Sequence, residues 1–78
     1  MLHARADYNR FQDPEGKIPV DEPVMLFRAQ DKYTARVVMF YAKLLEEDPA
    51  VDRKMVDAVK GHAVKMAEWS KHKTPDMP

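Results

Sequence analysis

Apolar residues are unevenly patterned along this 78-residue chain. From about residue 32 onward they recur every three or four positions, the spacing of one helical face. Val37, Val38, Tyr41, Leu44 and Leu45 form such a face, and the pattern predicts a helix over about 32–47. Asp31 stands where a carboxylate can accept the free N–H groups of a first turn. Asp48-Pro49 predicts the next boundary. Aspartate caps, and proline sits at the first helical position, where its missing N–H costs nothing. A second helix is therefore expected over about 49–72, with Val51, Met55, Val59, His62, Met66 and Trp69 as its stripe. Gly61 interrupts it, at about 1 kcal/mol relative to alanine. Close approach of another helix is one use for that glycine. Thr74-Pro75 ends the helix.

Two helices joined so tightly fold back as an antiparallel hairpin. A lone hairpin leaves a difficulty, because Val37 to Ala42 is apolar on nearly every side, with Met39 and Phe40 outside the main face. A second copy of the chain can cover what the first cannot. Val38, Met39, Phe40, Tyr41 and Trp69 are accordingly the expected interface of a homo-oligomer.

The first part of the chain has no sustained period. Asp13-Pro14-Glu15-Gly16 reads as a type I turn, with proline pre-setting φ and glycine relaxing the exit. Tyr8, Phe11 and Ile18 are apolar groups that can dock, so residues 1–20 are expected to form an ordered arm. Val24-Met25-Leu26-Phe27 follows Asp21-Glu22-Pro23 and fits either a short helix or a short buried strand over 22–28, with a slight lean to helix. The expected fold is all-α within a single domain, 1–78: arm 1–20, short element 21–31, hairpin 32–72 and tail 73–78.

Composition narrows the function classes. A chain of this length buries only about 60% of its unfolded surface and commonly needs a staple. There is no cysteine, which excludes disulfides and thiolate metal sites and favours self-association. The formal net charge is zero. Residues 1–48 carry seven Lys/Arg against nine Asp/Glu, and residues 49–78 six against four. That is not the basic footprint of a duplex-binding domain, so nucleic acid is not the expected partner. Lys54, Lys60, Lys65, Lys71 and Lys73 read first as a solvated helix face. No apolar run reaches the ~18 residues of a membrane span. No secretory h-region follows Met1-Leu2-His3-Ala4-Arg5, so a cytoplasmic location is expected.

Catalytic chemistry finds little footing. His3, His62 and His72 show no metal-ligand spacing. His62 on the apolar stripe reads as a core or interface histidine before it reads as a proton carrier. Gly16 and Gly61 are the only glycines, so there is no phosphate loop. No cofactor, metal or catalytic residue is expected. The strongest polar constellation is Arg28, Gln30, Asp31 and Lys32, with Tyr33 and Thr34 beyond, at the start of the first long helix. A helix N-terminus favours anions, Arg28 offers a bidentate fork, Gln30 can read an amide or base edge, and Tyr33 or Tyr41 can stack on a planar group. The competing reading is structural: Asp31 caps, Arg28 pairs with Asp21 or Glu22, and Gln30 is solvated. Asp31 repels an anion unless it turns to cap the backbone. Tyr8 and Arg10, with Arg5, Asp7 and Asn9, form a second polar cluster in the arm that either folds over a ligand or pins the arm.

The run Asp13-Pro14-Glu15-Gly16-Lys17-Ile18-Pro19, then Asp21-Glu22-Pro23-Val24 and Arg28-Ala29-Gln30-Asp31, resembles small phage and prophage-associated bacterial proteins. Those carry an Asp-Glu-Pro-Val core followed by Arg-x-Gln-Asp and an aromatic-containing helix. Ala67-Glu68-Trp69 and the basic Pro-Asp tail are similar too. The resemblance implies a compact oligomer in a bacterial host. It implies a non-enzymatic counter-defence protein sequestering a small anionic, nucleotide-like signal between subunits. The alternative is a protein-interaction inhibitor or adaptor of a host factor, which lays an amphipathic helix into a partner groove.

Overall fold

The computed structural model describes residues 1–77. They fall into two compact units: a hairpin unit over 28–75, and an arm unit of 1–27 with Asp76 and Met77. The protein is mostly helical, with one short pair of parallel strands in the arm.

The hairpin unit consists of α1 (Thr34–Glu47) and α2 (Arg53–Glu68), packed against each other. The short connection between them makes the pair antiparallel. The end of α1 falls at Glu47 as expected, while the other three helix boundaries moved inward, each where local hydrogen bonds take the chain elsewhere. Helix α1 starts at Thr34 and not at 32. The Asp31 carboxylate accepts from Tyr33 N–H at 2.8 Å and its carbonyl from Thr34 N–H at 3.1 Å. Asp31 thus closes a turn before the helix, while Tyr33 holds the N-cap position without a side-chain cap. Helix α2 starts at Arg53 and not at Pro49. Asp48 accepts from Ala50 N–H at 2.9 Å and spends its capping capacity on a turn. Asp52 then caps the helix, accepting from Lys54 N–H at 2.8 Å from an extended backbone. Helix α2 ends at Glu68 and not near His72. Beyond it the backbone opens at Trp69, and Lys73 bridges in parallel to Asp31. Lys73 N–H donates to Gln30 C=O at 2.7 Å and Lys32 N–H donates to Lys73 C=O at 3.0 Å. The Met66 carbonyl accepts from Trp69 N–H at 3.3 Å, and the His72 ring nitrogen also lies 3.2 Å from it.

The seam between the helices is built from small residues. Thr34 and Ala42 of α1 and Val56 and Ala63 of α2 are buried. Val38, Leu45, Val59 and Met66 sit beside them half-buried. The expected faces held in part: Val38, Leu45, Val59 and Met66 belong to them, whereas Val37, Tyr41 and Leu44 are exposed on α1, Met55 and His62 on α2, and Trp69 just beyond it. Hydrophobicity points to large side chains, but backbones approach closest where the side chains are short, and alanines fill that seam. Gly61 plays no part in it, since a Cβ there would meet nothing within 4 Å. The Thr34 hydroxyl is buried without a partner among the described residues.

One side of the hairpin carries an ion network. Glu46 takes Arg53 at 3.1 Å and Lys60 at 2.9 Å. The hydrogen bond from Lys60, then that from Arg53, holds the Glu46 carboxyl below the usual carboxylate range.

In the arm, the segment expected as a short helix or strand is extended. Strand β2 (Pro23–Val24) pairs in parallel with β1 (Leu2–His3), Leu2 facing Pro23 and His3 facing Val24. Pro23 starts its strand, a position where its missing donor is tolerated. The lean to helix fails because Leu2 N–H takes the Glu22 carbonyl at 2.8 Å, a long-range bond that periodicity does not reveal. Between the strands lie a short 3₁₀ helix (Ala6–Tyr8) and the Asp13–Gly16 turn. That turn is closed by Gly16 N–H donating to Asp13 C=O at 3.1 Å, with Gly16 at a φ of 67°. The Asp13 carboxylate also accepts from Ile18 N–H at 2.6 Å. Tyr8 is the buried residue of the arm, its ring edge-on to Phe11 at 5.8 Å and under the Arg5 guanidinium at 5.0 Å. Arg5 pairs with Asp7 at 2.8 Å and donates to the Asp76 carbonyl at 2.5 Å. That pairing lowers the Asp7 carboxyl and raises the Arg5 guanidinium from their ordinary values.

Candidate functional site

The segment from Arg28 to Arg36 is held by its backbone, and this frees its side chains. Arg28 C=O accepts from Asp31 N–H at 3.0 Å, and the next residues are stapled to Lys73 as described. Asp31 is half-buried, and one of its carboxylate oxygens accepts from Tyr33 N–H at 2.8 Å. The N–H groups of Lys32, Tyr33 and Thr34 are all engaged within the protein. An anion held here must be held by side chains, not by the helix N-terminus alone.

Those side chains are cationic and aromatic. Tyr33 is exposed. The Lys32 ammonium lies 5.2 Å from its ring centroid and the Arg36 guanidinium 5.3 Å. Both distances are within the range of cation–π attraction. Arg28 is exposed and makes no ion pair within the hairpin unit. Two cations thus stand at an exposed ring, with Arg28 a few residues before them and the Asp31 carboxylate bonded to the Tyr33 N–H. Such a cluster can grip a phosphate or carboxylate through Arg forks and offer a planar group a ring to rest on.

The expected ligand residues fall into different surroundings. Arg28, Lys32 and Tyr33 present their side chains outward. Gln30 is half-buried and its carbonyl holds Lys73, and Thr34 lies fully buried in the seam. Tyr8 and Arg10 belong to the arm unit, where Tyr8 is buried and Arg10 sits over the Phe11 ring at 5.1 Å. Arg36 was missed in the sequence. Its signal was the spacing, four residues after Lys32 and so one turn along the same helix side. Of the expected interface residues, Met39, Phe40, Tyr41 and Trp69 are exposed, while Val38 is half-buried beside the seam.

The arm holds a separate concavity of about 310 Å³, lined by Met1, His3, Phe11, Ile18, Val24 and Leu26 among others. His3 Nε2 lies 2.8 Å from the Phe11 carbonyl, which can only accept, so the buried Nδ1 is left without a partner. Among the described residues no group of three or more His, Asp or Glu side chains can hold a metal ion, and no helix is long and apolar enough to cross a membrane. In comparisons with known proteins the chain matches no family model, and no curated protein or solved structure is significantly similar to it.

Proposed function

We propose that this protein is a non-enzymatic binder of a small anionic, nucleotide-like ligand, held at Arg28, Lys32, Tyr33 and Arg36 and enclosed by a second subunit. The carrying observation is the pair of cations, Lys32 and Arg36, set against the exposed Tyr33 ring, with the Asp31 carboxylate engaged by Tyr33 N–H. Phosphate oxygens find charge there, and a base finds a planar neighbour. The resemblance to small phage proteins supports a counter-defence setting in a bacterial cytoplasm, in which the ligand is sequestered and returned intact.

Calorimetric titration tests this with three probes: inorganic phosphate, a nucleoside, and a panel of linear and cyclic nucleotides. Nucleotides should bind well above either fragment. Arg36→Ala should weaken them by roughly 10- to 100-fold, the worth of one charge-assisted hydrogen bond. The recovered ligand should be chemically unchanged. Failure of every nucleotide to bind, or equal binding to the Arg36→Ala variant, would sink the proposal. The exposed apolar residues of the hairpin support a second reading, inhibition of a host protein. A stoichiometric complex with a defined protein, insensitive to Arg36→Ala, would favour it.

A further inference from the structure

We infer that one face of the hairpin is the seat of a second copy of this chain, packed helix pair against helix pair as a two-fold four-helix assembly. The inference deepens the oligomer in the proposed function by naming its surface, and it stands on packing alone. At 3.6 residues per turn, Val37, Tyr41 and Leu44 lie to one side of the seam residues Val38 and Ala42, with Phe40 at the outer rim. Met55 and Trp69 lie the same way round from Val56 and Ala63. In an antiparallel pair, equal senses of rotation lead to the same side. These six side chains therefore share one face, and Glu46, Arg53 and Lys60 lie the opposite way round, on the other.

The exposures decide whether this face matters. Val37 is 42% exposed, Phe40 61%, Tyr41 48%, Leu44 49%, Met55 46% and Trp69 55%. At about 150–250 Å² for a large buried side chain, their exposed fractions amount to roughly 600 Å². That is at the upper end of the apolar patches a monomer normally shows, about 300–600 Å². It approaches the ~800 Å² that each partner contributes to a stable interface.

A second copy is the occupant that the chemistry matches. Apart from the exposed His62, which lies between Met55 and Trp69, no Asp, Glu, Lys or Arg interrupts these apolar residues, and the formal net charge of the chain is zero. The ion network of Glu46 is confined to the far side and is not buried by the pairing. The seam inside one hairpin is mainly alanine, valine and threonine, a thin core that a second layer of helices would complete. Tyr33 precedes Val37 by one turn on the same stripe, so the partner copy would border the cation cluster.

Light scattering on the full chain reads the assembly directly. The expected mass is twice the 9.1 kDa of one chain or an even multiple of it. On dilution below the dissociation constant, the mass should fall and the emission of Trp69, the single tryptophan, should shift to the red. Leu44→Lys should give a monomer with unchanged helical circular dichroism, and Met39→Lys, on the ion-network side, should leave the mass unchanged. A monomer at about 100 µM, a concentration that detects even weak pairing, would overturn the inference. So would a folded Leu44→Lys that assembles as the wild type does, or a wild-type monomer that instead captures another helical protein. None of these outcomes depends on nucleotide titration: a monomer would remove the enclosing second subunit, while binding at Arg28, Lys32, Tyr33 and Arg36 is read separately by calorimetry.

Discussion

The hairpin and the arm are ordered by different means. The hairpin closes along a seam in which Thr34, Ala42, Val56 and Ala63 are buried, and its interactions repeat with the helical period. The arm has one buried anchor, Tyr8, and holds its course through hydrogen bonds of different reach: Gly16 to Asp13, Ile18 to the Asp13 carboxylate, Leu2 to Glu22. One unit spreads its stability over many similar contacts. The other concentrates it in an aromatic cluster and a few backbone bonds. The difference teaches where each is vulnerable: the hairpin to a change of volume in its seam, the arm to loss of a single ring.

The sharpest way to break the comparison is Tyr8→Ala. It removes the edge contact with Phe11 and the seat of Arg5, and truncation of a buried aromatic costs about 3 kcal/mol. Hydrogen exchange should show arm amides losing protection while hairpin amides keep theirs, and equal loss in both units would erase the distinction. Ala42→Leu comes next. An enlarged side chain in a closed seam costs about 1–3 kcal/mol, so urea unfolding followed by helical dichroism should shift to lower concentration. An unchanged midpoint would mean that the seam is looser than its burial implies. The smallest effect is Glu46→Gln. The folded-state carboxyl is depressed by Lys60 and Arg53, so its stabilisation is present above the ordinary carboxylate range. It is lost as pH falls through the depressed folded value. The melting temperature of the wild type should fall on acidification, and the variant should show a shallower fall. Asp7, depressed by Arg5, acts in the same direction in the arm.

Legibility in the sequence followed the range of the interaction. The two helices, the fold-back between them and the Asp13–Gly16 turn rest on neighbours within a few residues, and all were legible. The end of α1 at Glu47 was legible as well, but the starts of both helices and the end of α2 were not. Asp48-Pro49 has the residue types of a helix start, yet Asp52 has them too, and only the folded chain shows which aspartate caps. At the candidate site, Arg28, Lys32 and Tyr33 were legible as an anion-seeking cluster. Whether Asp31 opposed it was not, because the answer depends on where one carboxylate turns. Arg36 was legible in principle through its spacing from Lys32.

By itself, then, the sequence determined the period, and with it the presence of α1 and α2, a surplus of apolar surface around Val37–Ala42, and a polar cluster ahead of the first helix. The tertiary structure decided three things that period cannot. It placed alanines in the seam and left the larger residues outside, because close approach of two backbones selects short side chains. It ended α2 at Glu68 by drawing Lys73 beside Asp31, and it made residues 23–24 a strand through pairing with residues 2–3. Each of these depends on partners brought together from distant parts of the chain, and local propensity carries no information about such partners.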